Sequence, residues 1–366
     1  MSTPQLISTA LTELVGVRHP VVQTGMGWVA GPRLVAGTAN AGGLGILASA
    51  TMTFEELEHA IVEVKGRIAE GTPYGVNLRA DATDAPERVD LLIKHGVKVA
   101  SFALAPKPDL IAKLKDHGVV VMPSVGAARH AEKVAAWGAD AVMVQGGEGG
   151  GHTGPVPTTL LLPTVLDAVD IPVVAAGGFF DGRGLAAALA YGAAGVGMGT
   201  RFLLTQDSSV PQAVKELYLG YGLDGTVVTS KVDGMPHRML RTALVEEIEG
   251  TGASGALRRL GPTVKRTLEF KKMAGMGWGE LLKDGREMRK SQGRTLLQMT
   301  LAANTPMMLK AGLVDGDTGA GVLASGQVVG VLDDLPTCEE LISGVVRDAA
   351  DRLRALGSAL VVPAEA

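Results

Sequence analysis

A histidine closing a run of glycines is the clearest sign of chemistry in this chain. The stretch Val142–Gly154 reads VMVQGGEGGGHTG: an apolar run ends at Gln145, a flexible glycine loop follows, and His152 stands at its far end. Glycine lets backbone approach a ligand closely and adopt positive φ, at an entropic cost that an ordinary loop need not bear. Imidazole titrates near neutral pH, so it can take or give a proton during a reaction. The same letters also fit a surface turn with an incidental histidine. Metal chemistry finds less support, because the seven histidines are scattered and none pairs with another at i, i+4. The single cysteine, Cys338, excludes an internal disulfide framework and a cysteine-based metal cluster, and fits a reducing compartment.

What decides between the readings is the set of elements that would hold His152. Short β-branched runs alternate with helical patterns from the start of the chain. Strands are expected at Val21–Gln23, Leu44–Ala48, Tyr74–Leu78 (stopping at Asn77), Val97–Phe102, Val119–Pro123, Ala141–Gln145, Pro172–Ala176 and Val196–Met198. Between them, helices are expected at Pro32–Ala41, Phe54–Ala69, Pro86–His95, Pro108–His117, Ala127–Trp137, Leu160–Val169 and from Asp181 to Tyr191. The punctuation agrees: proline opens the first helix, Thr53 and Glu56 form a capping box for the second, and Gly192 ends the last. Eight strands in strict alternation with helices predict an α/β protein, a (β/α)8 TIM barrel. An open doubly wound sheet has the same alternation, but no G-x-G-x-x-G follows the first strand.

In a barrel the C-terminal ends of the strands and the loops beyond them form the active site. Here those ends are Thr24–Gly27, Asn77, Ser124, Gln145–His152, Ala176–Gly178 and Gly197–Thr200. Glycines after the seventh and eighth strands can offer backbone N–H groups to a phosphate. Asn77, Ser124 and Gln145 can offer amide and hydroxyl groups to a planar ring, although each alone is also an ordinary turn former. Together they point to a phosphorylated cofactor of flavin type.

The alternation ends near residue 205. Helix is expected again at Val210–Leu219, extended or turn-like chain at Gly225–Gly234, a helical insertion at Leu244–Met308, and a closing helix at Asp333–Leu356. This divides the chain into a barrel at 1–243, an insertion or second subdomain at 244–310, and a returning segment at 311–366. Within Leu257–Arg294 eleven basic residues face four acidic ones, so this stretch carries +7 in a chain whose total is −4. Such a cluster suits a polyphosphorylated ligand. A solvated helical face or the subunit contact of a homodimer fits it equally. Eight methionines from Met235 to Met308 can line a pocket or simply fill the core, and Gly275–Gly279 carries Trp278 on a flexible segment. The composition, 46% hydrophobic and 20% charged with 50 glycines, is that of a soluble α/β enzyme. The charge balance gives no argument for nucleic acid. No secretory signal is evident, and the longest uncharged apolar stretch, Gly184–Thr200, is broken by glycines and too short to span a bilayer comfortably. The cytoplasm is the expected compartment.

A family resemblance rests on an ordered set of these motifs. Gln23–Gly27, Ala39–Gly45, Gly75–Asn77, Pro123–Val125, Gln145–Gly154, Ala176–Gly178, Gly197–Phe202 and, late in the chain, Gly319–Gly330 resemble the nitronate monooxygenase (2-nitropropane dioxygenase-like) flavoproteins. The family includes nitronate oxidases, NADH:quinone reductases and flavin-dependent enoyl-thioester reductases. The resemblance implies non-covalent FMN: Gly25 and Met26 beneath the flavin, Asn77 and Gln145 at its ring or ribityl chain, and Gly177, Gly178, Gly199 and Thr200 at its phosphate. With the strand ends and loops it extends the flavin-binding set to Thr24, Ser124, Gly150, Gly151, Ala176 and Gln327. His152 matches the family's catalytic histidine. One departure is that nitronate oxidases usually carry proline where this chain has Gly25, followed by Trp28. The chain is also similar to flavin reductases of actinobacterial steroid ring catabolism. That likeness implies reduction of a CoA thioester by NADH or NADPH, with His152 as proton donor. Trp28, Arg258, Arg259, Lys265 and Arg266 are then the expected substrate contacts. Oxidation of alkyl nitronates by O2, NADH:quinone reduction and a barrel without catalysis are the alternatives.

Overall fold

The computed structural model describes residues 4–250 and 296–359. Its strands are β1 (Val21–Gln23), β2 (Leu44–Ala48), β3 (Gly75–Leu78), β4 (Val99–Phe102), β5 (Val120–Val125), β6 (Val142–Gln145), β7 (Gly151–His152), β8 (Val173–Ala176), β9 (Gly195–Met198), β10 (Thr226–Thr229) and β11 (His237–Leu240). Eight of them, β1-β2-β3-β4-β5-β6-β8-β9, close into a parallel barrel, with β1 pairing to both β2 and β9. The helices are α1 (Ala10–Val15), α2 (Pro32–Asn40), α3 (Phe54–Arg67), α4 (Ala85–His95), α5 (Pro108–Asp116), α6 (Ala128–Ala136), α7 (Thr158–Leu166), α8 (Gly182–Tyr191), α9 (Thr200–Leu203), α10 (Gln212–Leu219), α11 (Ala243–Gly250), α12 (Leu296–Leu313) and α13 (Cys338–Ser358). The expected TIM barrel is the observed fold.

Side chains alternate across each strand, and the core divides accordingly. Val22, Leu44, Ile46, Val99, Val120, Met122, Met143 and Val174 form one apolar cluster inside the barrel, joined by Leu11 and Val15 of α1. Their neighbours Leu47, Val76, Leu78, Ala100, Phe102 and Val121 pack outward against the helices. So do Val21, Val142, Val144, Val173, Ala175 and Val196 on the other side of the barrel. With both faces covered, these strands read as nearly continuous apolar runs.

Several boundaries differ from the sequence reading. β3 starts one residue later than expected and ends at Leu78 as expected, with Asn77 inside it, while β5 runs on through Val125, so Ser124 lies within a strand rather than in a turn. The closing helix starts at Cys338, not Asp333. Thr337 caps it in a reciprocal box with Glu340, after a 3-10 turn at Gln327–Val331. The helical reading of 244–308 is met at its ends by α11 and α12, and its middle lies outside the described residues. So do the basic residues of 257–294 and the Gly275–Gly279 segment. Cys338 is buried against α2, and burial pushes its thiol up to about 12, which leaves it chemically quiet.

The returning segment is tied to the barrel by a buried phenol. Tyr218 of α10 is fully buried and its hydroxyl donates to the Ala324 carbonyl at 2.8 Å. Tyr218→Phe keeps the packing and strands that carbonyl. We expect a loss of about 1 kcal/mol, read as a lower denaturant midpoint with an unchanged m-value.

Candidate functional site

Alternation assigns the inner wall at the top of the barrel. Two residues beyond the apolar Val22, Val99, Met122, Met143 and Val174 come Thr24, Ser101, Ser124, Gln145 and Ala176. Val76 and Leu78 point outward, so Asn77 between them points in. Apart from Ala176, the inward layer thus changes from apolar to polar in a single step at the C-terminal rim. Asn77 donates from Nδ2 to Ser101 Oγ at 3.2 Å, a partner that the sequence reading did not single out. Gly25 packs against this asparagine so closely that a Cβ there would lie 2.5 Å from Asn77 Cβ. On this backbone a proline ring, which also carries a Cβ, would meet the same contact.

Beyond β8 and β9 the backbone forms an anion cradle. Gly177 and Gly178 adopt φ of +94° and +85°, which L side chains rarely tolerate. Across from them, α9 begins after Gly199 with no side-chain cap. The N–H groups of Phe202 and Leu203 donate to the Gly199 carbonyl, so those of Thr200 and Arg201 at the start of the helix are the ones left for an anion. The Thr200 hydroxyl accepts from Gly326 N–H at 2.9 Å and keeps its own proton to donate. Arg201 does not take part: its guanidinium pairs with Asp334 at 2.6 Å. Glu148 lies near Gly178, but its carboxylate accepts from Thr158 N–H and Oγ–H and caps α7. The cradle therefore fits a phosphate such as that of FMN.

The glycine loop is fastened at both ends, which corrects the expectation of a flexible loop. Gly151–His152 forms β7 and pairs with β11 in a three-stranded sheet of order β10-β11-β7, with His237 opposite His152 and Arg238 opposite Gly151. Arg238 reaches over to donate to the Gly147 carbonyl at 2.8 Å. Gln145 donates to the His152 carbonyl at 2.9 Å and, more weakly, to that of Gly150 at 3.4 Å, so its amide first serves the loop itself. The returning segment seals the other side. Gln327 N–H donates to the Glu148 carbonyl at 3.0 Å, and a Cβ on Gly150 would lie 2.6 Å from Gly326 N.

His152 stands at the rim with its side chain 55% exposed, above two buried partners. Its Nε2 lies 2.7 Å from Asp233 Oδ2, and His237 Nδ1 lies 3.1 Å from the same oxygen. The side chains of Asp233 and His237 are 4% and 3% exposed. The other carboxylate oxygen of Asp233 accepts from Met235 N–H at 2.9 Å. Burial alone would raise the Asp233 carboxyl. Hydrogen bonds from His152 and His237, with the attraction of both rings, outweigh it and hold the group well below the usual carboxylate range. Three potential metal ligands thus meet here, although no sequence spacing between the histidines announced them. Trp28 lies in the loop after β1 with φ +65°, a conformation costing roughly 1–3 kcal/mol for a non-glycine residue. Its indole N–H is buried and meets no acceptor among the described residues.

The barrel thus gathers Thr24, Gly25, Asn77, Ser124, Gln145, Ala176, Gly177, Gly178, Gly199 and Thr200 at one end, with the loop bearing Gly150, Gly151 and His152 and the segment bearing Gln327 stitched across it. Arg258, Arg259, Lys265 and Arg266 lie outside the described residues. Sequence reasoning missed Ser101, Asp233, His237 and Arg238. Strand parity could have found Ser101, and a four-residue Asp–His spacing hinted at the pair 233 and 237. No helix of the described residues is long and apolar enough to cross a membrane.

Known proteins show the same architecture. The structure of FabK from Thermotoga maritima superposes with a TM-score of 0.76 at 31% identity, covering 97% of this chain and 100% of that one. A (3aS,4S,5R,7aS)-5-hydroxy-7a-methyl-1-oxo-octahydro-1H-indene-4-carboxyl-CoA dehydrogenase of Rhodococcus jostii is 70% identical over 352 residues, 96% of this chain and 98% of that protein. Its namesake in Mycobacterium tuberculosis is 66% identical over 362 residues, 97% of this chain and 99% of that protein. A family model described as nitronate monooxygenase matches residues 8–89 and 83–348, which span the barrel, the glycine loop and the returning segment. By that match the chain belongs to the nitronate monooxygenase family.

Proposed function

We propose that this protein is an FMN-dependent oxidoreductase that interconverts a saturated CoA thioester and its α,β-unsaturated form, with His152 moving the α-proton. The proton-transfer role is carried by one observation: a half-exposed imidazole backed by a buried carboxylate at the rim of a polar barrel mouth. The substrate class is supported by the name of the 70% identical relative, a ring-bearing carboxyl-CoA dehydrogenase. That name favours the oxidative direction, whereas the sequence alone suggested the reductive one. Both use the same group, because the histidine that gives a proton to the α-carbon in reduction must take it back in oxidation.

In this reading Gly177, Gly178, Gly199 and Thr200 bind the FMN phosphate, and Asn77, Ser124 and Gln145 face its ring or ribityl chain. FMN supplies the hydride acceptor at the β-carbon, with NAD(P)+ as the eventual oxidant. The residues around it do three things. Asn77 and Ser101 fix the polar wall; the β7–β11 pairing holds His152 at the rim; Trp28, in the first loop, carries a buried indole N–H that meets no acceptor among the described residues. The basic stretch 257–294 is suited to coenzyme A phosphates, with Arg258, Arg259, Lys265 and Arg266 as candidate contacts. The single buried thiol agrees with a reducing, cytoplasmic setting.

A second reading, oxidation of alkyl nitronates by O2, is favoured by the family model. Gly25 in place of proline speaks for the thioester. The two separate under anaerobic conditions. We expect the indene-carboxyl-CoA thioester of the relative to bleach the flavin absorbance, and ethyl nitronate to leave it unchanged. His152→Ala should slow the thioester-driven bleaching by about 10²–10⁴-fold. Bleaching by the nitronate alone would make the second reading the right one.

The contact between Gly25 and Asn77 gives an independent test of the cofactor site. A Cβ at residue 25 must displace Asn77, and overpacking of this kind costs roughly 1–3 kcal/mol. Gly25→Ala is therefore expected to weaken FMN retention by about tenfold or more, measured by flavin fluorescence on dilution. Full retention would remove Asn77 from the flavin site.

A further inference from the structure

We infer that Asp233 is a positioning residue that fixes the tautomer of His152, making Nδ1 the nitrogen that exchanges the substrate proton, and that His237 holds Asp233 for this task. The inference builds on the proposed proton-transfer role of His152.

The argument follows from which atoms can donate. An ionised carboxylate only accepts hydrogen bonds. Its oxygen Oδ2 lies 2.7 Å from His152 Nε2 and 3.1 Å from His237 Nδ1, so both of these nitrogens carry protons. The tautomer of each ring is set by this acceptor rather than seen directly. For neutral His152 the lone pair is then on Nδ1. In the opposite tautomer Nε2 would face the carboxylate with a lone pair, and two acceptors would be in contact at 2.7 Å. Asp233 cannot readily turn away, because Met235 N–H holds Oδ1 at 2.9 Å. Both Asp233 and His237 are almost completely buried, so water does not compete for these bonds.

His237 plays a different part from His152. Its Nδ1–H is engaged with Asp233, while its Nε2 is buried and meets no partner among the described residues. Its side chain is 3% exposed against 55% for His152, so His152 is the ring open to solvent. The two imidazole rings lie 4.7 Å apart, so a proton added to His237 would face a protonated His152 directly. One carboxylate can balance one added proton, and the exposed ring is where that proton is best solvated. Strand pairing sets the spacing, since His152 and His237 are directly opposed in the β7–β11 ladder. In the dehydrogenation, the C–H bond at the α-carbon breaks and its proton passes to Nδ1. The electron pair left at the α-carbon becomes the new C=C bond, and bound FMN would supply the acceptor for the hydride that leaves the β-carbon. Asp233 remains ionised throughout and stabilises the resulting imidazolium.

Two measurements test this. In protein carrying 15N-labelled histidine, above the titration of His152, the His152 signals are identified by their loss in His152→Gln. Neutral His152 is expected as the Nε2–H form, losing that preference in Asp233→Asn. The Nδ1–H form in the unmodified protein would overturn the inference, and this readout needs no turnover. The second measurement follows exchange of the thioester α-hydrogen with D2O, using the indene-carboxyl-CoA thioester. Asp233→Asn should slow both exchange and kcat by at least about 100-fold with KM and flavin content unchanged. Equal rates, or a loss expressed only in KM, would overturn it. One equivalent of Zn2+ retained by the purified protein and removed by His237→Gln would also overturn it, by making these residues a metal centre. If the unmodified protein neither exchanges nor oxidises the thioester, the substrate reading fails while the tautomer result still decides the role of Asp233.

Discussion

The pairing of Gly151–His152 with His237–Arg238 is the constraint on which the rest of the site depends. A glycine-rich segment left to itself would sample many conformations, and fixing each residue costs roughly 1–2 kcal/mol of backbone entropy. Here that cost is offset by ladder hydrogen bonds to β11, by Arg238 reaching the Gly147 carbonyl, and by Gln145 turning its amide back onto the loop. The outcome is a histidine held at a defined position on a glycine loop. Glycine serves close approach here more than mobility: at Gly150 a side chain would strike the returning segment.

The same pairing links three parts of the chain that are distant in sequence. β11 brings His237 beneath His152, the turn before it brings Asp233, and the segment at 325–327 bonds to Arg238, Glu148 and Thr200. The barrel alone supplies a polar floor and an anion cradle. The small antiparallel sheet outside the barrel supplies the cluster of His152, Asp233 and His237. In the proposed reading, binding and proton transfer are thus built on separate elements that meet at the rim.

This division explains what could be read from the sequence. The barrel was legible because its signals are local: β-branched runs, proline and glycine punctuation, and capping boxes such as Thr53 with Glu56 act within a few residues. Asn77, Ser124 and Gln145 were legible as polar residues where apolar runs end, although two of them proved to lie inside strands. The proton-handling cluster was not legible. His152 and Asp233 are 81 residues apart, and their contact depends on a two-residue strand with no hydrophobic pattern of its own. Asp233 followed by Gly234 reads as a turn, and it is one; only the tertiary pairing shows where the carboxylate points.

The chemical direction of the site is a different kind of question from its geometry. A histidine fixed by a carboxylate accepts and returns a proton equally well, since the same hydrogen bond that makes Nδ1 a base also stabilises the acid form. The inward polar wall is likewise indifferent to whether electrons arrive or leave. Direction then rests on the redox partner and on the stability of the unsaturated thioester, both properties of the ligands. What the protein can select is the substrate itself. Gly25 against Asn77 and the strained Trp28 shape one wall of the mouth, where a nitronate oxidase of this family usually has proline. A shared barrel and histidine can therefore serve members with different reactions when the walls around them, the first loop among them, admit different substrates.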